Sequence, residues 1–264
     1  MKVTVLEYHD VVPDGDVEAS GFPGRAAATY KLDAGVFERH LVALEPVAAD
    51  HVTTVTDVIR NGAQRQRALL LTFDDGGVGA IAHTAGLLER RGWRGHFFVT
   101  VDHVGKPGFL DRAAIRELHG RGHVIGSHTC SHPPMMATLP YAAIFDEWRR
   151  SVMALGDIVG EPVTTASVPG GLYSRLVASA AGSAGIRALF TSEPVSRCWT
   201  VEGCLVLGRY TIRRWTSPTQ AQALAAGHLF PRAAQWGTQK ALRLLRRLGG
   251  PAYLRARAFV LNRR

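Results

Sequence analysis

The chain has 264 residues, a length that allows one barrel-sized domain with a large buried core. Hydrophobic residues make up 46% of it and charged residues 20%, which is typical of a globular protein. Its three cysteines form no C-x-x-C pair and do not suggest a disulfide framework. No apolar run approaches the length of a transmembrane helix.

The net charge of +9 is concentrated at one end of the chain. Residues 232–264 contain nine basic residues and no Asp or Glu, whereas the rest of the chain is close to neutral. Such an asymmetry indicates an anionic surface as a partner of this tail. The opening segment MKVTVLEYHD alternates like a strand and has no long apolar stretch, so we expect no secretory signal and a cytoplasmic location.

Short β-rich runs alternate with helical patterns along the chain. The predicted strands are, in order, Val3–Tyr8, Ala68–Phe73, His96–Val99, Val124–Ser127, Thr164–Val168, Ala188–Thr191 and Leu205–Ile212. The predicted helices are one capped by Asp33 with Phe37, Leu41 and Leu44 on one face, then Ile81–Arg91, one capped by Asp111, Tyr141–Val159 and Leu176–Ala184. Residues 10–30, with several Gly and Pro, are predicted to form a functional loop.

This alternation predicts an α/β fold with mostly parallel strands. About seven such strands favour a closed, distorted (β/α) barrel over an open sheet, and we assign residues 1–227 to it. Residues 228–264 are predicted to form a basic, amphipathic helical tail that packs on the barrel or extends from it. In folds of this kind the active site lies at the C-terminal ends of the strands.

Two adjacent carboxylates follow one of the predicted strands. The stretch LLLTFDDGG contains Asp74 and Asp75, and successive side chains of a strand point to opposite sides, so the two need not do the same job. Gly76 and Gly77 allow a sharp turn and leave room for a ligand beside the backbone. The same D-D-G turn is common in solvated loops, so the pair alone does not identify a site.

A histidine pair follows the predicted strand Val124–Ser127. His128 and His132 are four residues apart, and on a turn of helix this spacing brings both imidazoles to one side. Two His with one carboxylate form a catalytic metal pattern with positions open for water and substrate. Two surface histidines are the alternative, but an Asp at a second strand end favours the metal site. We interpret His123 as structural and Cys130 as a small packing residue.

The motifs LTFDDG and SHTCSH resemble the signatures of the polysaccharide deacetylases, the NodB-like carbohydrate esterases of family 4. The connecting segment FFVTVDHVGKPGFL is also similar, and the resemblance covers about residues 3–212. It implies that Asp75, His128 and His132 bind a divalent transition metal, with zinc expected and Co, Ni or Mn as alternatives. It also implies that Asp74 is the general base that acts on a metal-bound water.

Amide hydrolysis also needs a general acid for the leaving amine. The late strand that supplies a His in most of the family reads LVLGRYTI here and contains none. The segment VLEYHDVV resembles the Y-H-[DE] opening of the circularly permuted branch of the family, exemplified by poly-N-acetylglucosamine deacetylases. This resemblance implies that His9 is the acid, with Asp10 orienting it. The alternative is that His9 only lines the strand end.

The third motif of the family is altered in this chain. Its usual Arg-x-Pro, whose Arg supports the base, is replaced by ASVPGG, with Ser167 at the Arg position. Arg209 and Arg213 are the candidates to substitute for that Arg.

Candidate substrate-binding residues follow the altered motif. Gly170 and Gly171 suit a backbone N–H that stabilises a tetrahedral oxyanion. Tyr173 and Glu193 are candidates to contact the substrate, and packing within their loops is the alternative for both.

The tail segment TQKALRLLRRLGG places Ala241, Leu244, Leu245 and Leu248 on one helical face, with its basic residues elsewhere. Such a helix can contact an anionic membrane, or it can pack its apolar face on the barrel. Nucleic acid is not expected as a partner, because no groove-reading motif accompanies the charge.

We therefore expect a metal-dependent hydrolase that removes an acetyl group from an N-acetylated sugar or glycan precursor, such as a lipid-linked sugar. Hydrolysis of a non-sugar amide or cyclic imide is one alternative. A catalytically inactive barrel that binds a glycan is another, and the intact Asp and His motifs argue against it.

Overall fold

Nine strands form the main sheet of this computed structural model, which describes residues 2–48, 51–61, 67–171 and 173–241. The strands in chain order are β1 Lys2–Tyr8, β2 Asp10–Val12, β3 Lys31–Asp33, β4 Arg67–Phe73, β5 His96–Val99, β6 Val124–Ser127, β7 Thr165–Ser167, β8 Ala188–Phe190, β9 Cys198–Val201, β10 Cys204–Leu207 and β11 Tyr210–Thr211. The helices are α1 Arg25–Ala28, α2 Ala34–Ala48, α3 Val55–Asn61, α4 Ala85–Glu89, α5 Arg112–Gly120, α6 Tyr141–Val159, α7 Arg175–Ser183, α8 Pro218–Ala226 and α9, described over 229–241.

The sheet curls into a distorted (β/α) barrel, as predicted, but the predicted closure is wrong, because the edge strands β11 and β9 do not pair with each other. Its order is β11-β1-β4-β5-β6-β7-β8-β10-β9, and all neighbours are parallel except the hairpin β9–β10. Helices follow most of the strands and pack on the outside of the sheet. The predicted loop at residues 10–30 is only partly irregular, because β2 pairs with β3 and α1 lies between them.

The prediction of one continuous strand over residues 205–212 is wrong. β10 pairs with β8, whereas β11 pairs with β1 at the opposite edge of the sheet. The chain changes edge at Gly208 and Arg209. A Cβ at Gly208 would lie 2.3 Å from the carbonyl oxygen of Glu193, so glycine is required for the close approach there. This segment therefore connects the two edges of the sheet. We call the place where these edges approach each other the seam of the barrel, and Arg209 lies there.

Successive side chains of β1 and β4 point alternately to the interior of the barrel and to its outside. Val3 and Val5 of β1 pack in the interior with Leu70 of β4, whereas the intervening residues pack against the surrounding helices. The same alternation carries Glu7 and Asp74 to the interior row at the C-terminal ends of these strands. A polar layer therefore covers the apolar interior at this end.

The helix α9 lies over the seam. Arg232 donates to Thr4 Oγ1 at 2.9 Å and to Ser196 Oγ at 2.7 Å, and its guanidinium lies over the Tyr210 ring. Gln235 bonds both the N–H and the C=O of Thr211 on the edge strand β11. The predicted apolar face at Leu244, Leu245 and Leu248 lies outside the described residues, so the proposed tail domain stays a prediction. Among the described helices, none is both long and apolar enough to cross a membrane.

The buried imidazole of His96 predicts acid-dependent stability. Its Nε2 accepts from the Val55 N–H and its Nδ1 donates to the Leu71 carbonyl, and burial lowers its pKa to about 4. A lowered folded-state pKa means that the stabilisation is complete above pH 6.5 and is lost as the pH falls from 6.5 to about 4, by roughly 3 kcal/mol.

Urea denaturation from pH 7 to pH 4 would measure this loss. The variant His96→Gln should be less stable at pH 7 and should lose less stability than the wild type on acidification. The variant His228→Gln, which changes an exposed histidine, is the control. An unchanged pH slope in His96→Gln would contradict the assignment.

Candidate metal centre

Asp74 and Asp75 leave the end of β4 in different directions, as the alternation predicts. Asp74 continues the interior row of the strand and is buried. Asp75 has φ 79°, a left-handed conformation that is uncommon for a residue other than glycine. This conformation turns its carboxylate towards His128 and His132.

The two histidines lie on a tight loop rather than on the predicted turn of helix. Thr129 and His132 both have positive φ, at 66° and 56°. The loop is held by Glu147 of α6, which accepts from the N–H groups of Cys130 and Ser131 at 2.9 Å. Strained backbone of this kind is common at functional sites, where the surrounding structure fixes it.

One donor atom from each of Asp75, His128 and His132 lies within 4.8 Å of the others. Asp75 Oδ1 is 3.4 Å from His128 Nε2 and 3.6 Å from His132 Nε2. Ligand distances of about 2 Å place the donor atoms of a tetrahedral site roughly 3–3.5 Å apart, so this triad fits a shared divalent cation. His132 is half-buried, which leaves one side of the triad accessible.

The protonation of Asp75 and His132 suits metal binding, whereas for His128 the carboxylates of Asp74 and Asp75 outweigh burial and raise the pKa. Burial alone would raise the pKa of Asp75, but its contacts with His128 and the neighbouring histidines hold that pKa below its usual range. Burial and the charge of His128 lower the pKa of His132 to about 4. An ionised carboxylate and a neutral imidazole are the forms that coordinate a cation.

Ser167 links the triad to Asp74. With its Nε2 directed at Asp75, His128 has Nδ1 available to donate to the Ser167 carbonyl at 3.1 Å and to Ser167 Oγ at 2.6 Å. Ser167 Oγ in turn donates to Asp74 Oδ1 at 3.2 Å. A hydrogen bond from the second ring nitrogen fixes the orientation of a metal-binding imidazole.

Arg209 supports Asp74 in place of the missing third-motif Arg. It donates from Nη1 to Oδ1 at 2.7 Å and from Nη2 to Oδ2 at 2.8 Å, a two-pronged ion pair between fully buried groups. Burial alone would raise the pKa of Asp74, but the guanidinium holds it below the usual range, so the carboxylate is ionised.

Glu7 completes the polar layer and was not predicted. Its Oε1 accepts from Arg209 Nη2 and from Ser192 Oγ, both at 2.7 Å, and its Oε2 accepts from Thr211 Oγ1. Glu7, His9 and Asp74 also have donor atoms within 4.8 Å of one another. Because Arg209 already pairs with both carboxylates, we interpret this second group as an ion-pair network rather than as a metal site.

His9 follows β1 at the same end of the barrel. Its ring stacks on Tyr30 with centroids 4.5 Å apart, and among the described residues its Nδ1 has no hydrogen-bond partner. The prediction that Asp10 orients His9 is wrong. Asp10 accepts from the Val11 N–H, and burial raises its pKa to about 6. The ring of Tyr30 orients His9 instead.

The glycines after the Asp pair make room for Asp10. A Cβ at Gly77 would lie 2.0 Å from Asp10 Oδ2, and one at Gly79 would lie 2.4 Å from Asp10 Oδ1. Gly76 has φ 82° and makes the turn itself. The pair therefore ends the strand in a turn on which the segment after β1 packs.

The segment after β1 also places aromatic side chains beside the triad. The Phe22 ring lies 4.9 Å from that of His132 and contacts His103 and Phe109 edge-on. With Tyr30 against His9, aromatic rings from one segment flank both candidate catalytic groups.

The predicted substrate-binding residues lie on loops after β7 and β8. Gly171 donates its N–H to the Val168 carbonyl at 3.3 Å, and Gly170 packs close to the Pro134 carbonyl. Tyr173 accepts from Trp199 Nε1 at 3.0 Å. The carbonyl of Glu193 accepts from the Arg209 N–H, which joins its loop to the seam. Their contacts with substrate stay predictions.

The two residues interpreted as structural are buried away from the triad's open side. His123 accepts from the Gly95 N–H at 3.1 Å and contacts Glu89 at 2.9 Å. Burial raises the pKa of the Cys130 thiol to about 11, so it is a neutral packing group.

A barrel with a two-histidine, one-carboxylate cluster at its strand ends defines a class of α/β proteins with a candidate hydrolytic metal site. Comparison with known proteins narrows this class. The polysaccharide deacetylase family model matches residues 61–189, which include both motifs. Over these residues the chain is similar to the polysaccharide deacetylase family.

A chitin deacetylase from Pestalotiopsis sp is 31% identical over 115 residues. The match covers 44% of this chain and 38% of that relative, so this chain spans well under half of the relative's length.

Two solved structures share the fold. Deacetylase PplD of Streptococcus pyogenes, solved in complex with acetate, has a TM-score of 0.68 at 18% identity and matches 85% of this chain and 98% of its own. IcaB from Ammonifex degensii has a TM-score of 0.70 at 22% identity and matches 86% and 97%.

Loss of the Arg209 guanidinium should destabilise the protein strongly. The variant Arg209→Met leaves Glu7 and Asp74 buried without a cation, which should lower the free energy of unfolding by about 3–5 kcal/mol. The variant Arg213→Met removes a half-buried Arg outside this network and should change it by less than about 1 kcal/mol.

Urea denaturation of both variants at neutral pH measures the difference. Adding Glu7→Gln and Asp74→Asn to Arg209→Met should recover part of the loss, because the two charges are removed with their partner. Equal stability losses in the two single variants would contradict the network.

Proposed function

We propose that this protein is a metal-dependent hydrolase that removes an acetyl group from an N-acetylated sugar or glycan precursor. The observation that carries the proposal is the pairing of the Asp75–His128–His132 triad with a second, ionised carboxylate. Asp74 is not needed as a ligand, and Arg209 holds it beside the triad. Two carboxylates in different roles suit a hydrolase better than a binding site.

Asp75, His128 and His132 would hold a divalent transition metal, with zinc as the expected ion. When bound, such an ion acidifies a coordinated water and polarises the acyl oxygen of the substrate. The neutral histidine, the ionised carboxylate and the Ser167 bond to His128 Nδ1 supply the donor set and its orientation.

Asp74 acts as the general base in this proposal. A carboxylate has about four acceptor sites, so the two bonds from Arg209 and one from Ser167 leave capacity for the proton of the attacking water. The fixed guanidinium also keeps Asp74 ionised before the reaction starts. The base is therefore oriented and charged without any rearrangement.

His9 acts as the general acid. One of its ring nitrogens lies within 4.8 Å of a carboxylate oxygen of Asp74 at the barrel mouth, and Tyr30 holds its ring by stacking. Protonated His9 can donate to the amine nitrogen as the C–N bond breaks, which prevents the amine from leaving as an anion.

A sugar suits the walls of this site. The rings of Phe22 and Tyr30 present apolar faces beside the triad and beside the acid, where the C–H face of a pyranose can pack. The likeness to a chitin deacetylase favours N-acetylglucosamine units over non-sugar amides. Release of acetate from such oligomers, compared with ureides and cyclic imides, distinguishes the substrate classes.

Metal content is the first test of the proposal. We expect about one transition metal per chain by mass spectrometry, lost in Asp75→Ala and retained in Asp74→Asn. Deacetylation should fall at least about 100-fold in Asp74→Asn although the metal is retained. Asp157→Asn, an exposed carboxylate of α6, is the control that should change neither. Wild-type protein that holds no metal after zinc is supplied would overturn the proposal.

The role of His9 makes a separate prediction about leaving groups. The variant His9→Gln should lose about 100-fold in kcat/KM on N-acetyl sugars, because an amine needs a proton to leave. It should change only a few-fold on an aryl acetate ester, whose phenolate leaves unprotonated. Equal losses on both substrates would show that His9 is not the acid, and His228→Gln is the matched control.

A further inference from the structure

The polarity of α9 is the reverse of that expected for a helix packed on a barrel. The residues that face the barrel are polar: Arg232 bonds Thr4 and Ser196, and Gln235 bonds the backbone of Thr211. An ordinary surface helix places its apolar face on the core and its charged face in solvent. Over its described part, α9 therefore contributes little apolar area to the barrel.

The outward side of α9 carries large apolar residues instead. Leu229 is 85% exposed, Phe230 86% and Trp236 46%, and the first and last of these are seven residues apart on one helical face. Lys240 places its Nζ 3.8 Å from the centre of the Trp236 ring, so a cation lies beside this apolar surface. We call Leu229, Phe230, Trp236 and Lys240 the outward face.

The charge around the outward face has one sign. Residues 229–264 contain no Asp or Glu, and eight of the nine basic residues of the tail lie at position 240 or beyond. A helix with exposed Leu, Phe and Trp next to a strongly basic segment has the composition of interfacial membrane-binding helices. Aromatic side chains enter the headgroup boundary, and Lys and Arg are attracted to anionic lipids.

We propose that the outward face of α9 binds an anionic lipid bilayer surface. Charge complementarity favours an anionic bilayer as the partner. A neutral bilayer would not balance the basic charge, and neither would the same face of a second copy of this chain, which contains no acidic residue. The proposal is independent of the deacetylase chemistry.

The direction of α9 gives this surface an orientation relative to the candidate metal centre. Arg232 contacts Thr4 near the start of β1, and Gln235 contacts Thr211, which pairs with Glu7 near the end of β1. The helix therefore runs towards the barrel end that carries Asp74. Trp215, 69% exposed in the turn after β11, lies at this same end. Docking through the outward face would lay this side of the barrel on the bilayer, with the end that carries Asp74 at the later turns of α9.

Sedimentation of the full chain with lipid vesicles tests the proposal. We expect binding to vesicles of phosphatidylcholine mixed with phosphatidylglycerol, weak binding to phosphatidylcholine alone, and weakening of the former by added salt. The double variant Leu229→Ser/Phe230→Ser should reduce the partition coefficient about tenfold. Met153→Ser, which changes a 57% exposed residue of α6, is the matched control and should bind like the wild type.

Two further variants separate the sources of binding. The triple change Arg243→Gln/Arg246→Gln/Arg247→Gln should weaken binding to anionic vesicles and leave the tryptophan emission of the free protein unchanged. The emission of Trp236, compared with Trp236→Phe, should shift to the blue on vesicle binding, which reports its entry into an apolar environment.

Several results would overturn the proposal. One is equal binding to neutral and to anionic vesicles. Another is vesicle binding by Leu229→Ser/Phe230→Ser that equals wild-type binding. A third is a concentration-dependent dimer of the wild type that this double variant abolishes. Binding to duplex DNA but not to vesicles would likewise assign the basic charge to another polyanion. Equal amide hydrogen-exchange protection of residues 229–241 with and without vesicles would also overturn the proposal.

Discussion

The buried guanidinium of Arg209 is the constraint on which the candidate site depends. It lies between two carboxylates, Asp74 and Glu7, in a region from which water is excluded. Without a cation there, neither carboxylate could remain ionised at low cost. With it, Asp74 is fixed in position and in charge. The polar layer of the barrel mouth is organised around this one group.

Ser167 and Arg209 together take the place of the single Arg that the third motif of the family usually contains. The small Ser167 side chain leaves space for a guanidinium that arrives from the opposite edge of the sheet, and its hydroxyl still bridges Asp74 and His128. Asp74 and His128 are therefore coupled through one hydroxyl. An Arg at residue 167 would compete with Arg209 for the same carboxylate. The altered motif and the late Arg are two parts of one arrangement.

The sequence predicts the barrel, most element bounds and the triad, because these depend on local periodicity and on motif spacing. It does not predict the break between β10 and β11, since LVLGRYTI resembles one continuous β-rich run. Glu7 is not predicted either, although an acidic residue among the mostly apolar side chains of β1 was a signal. Arg209 was one of two candidates to replace the missing Arg, and it lies between β10 and β11. Which carboxylate it would pair with depends on how the two edges of the curled sheet approach each other, and this curvature depends on the whole chain.

The seam has a consequence for folding. Asp74 and Arg209 are 135 residues apart in sequence, and Arg209 reaches the interior only where the chain crosses from β8 to β1. Contacts of such long range form late, because a large loss of chain entropy precedes them. A nascent chain that has not yet added its last strands holds Asp74 and Glu7 without their counter-ion. The candidate metal ligands Asp75, His128 and His132 are closer in sequence and can meet earlier, so the proposed metal site can form before Arg209 reaches Asp74.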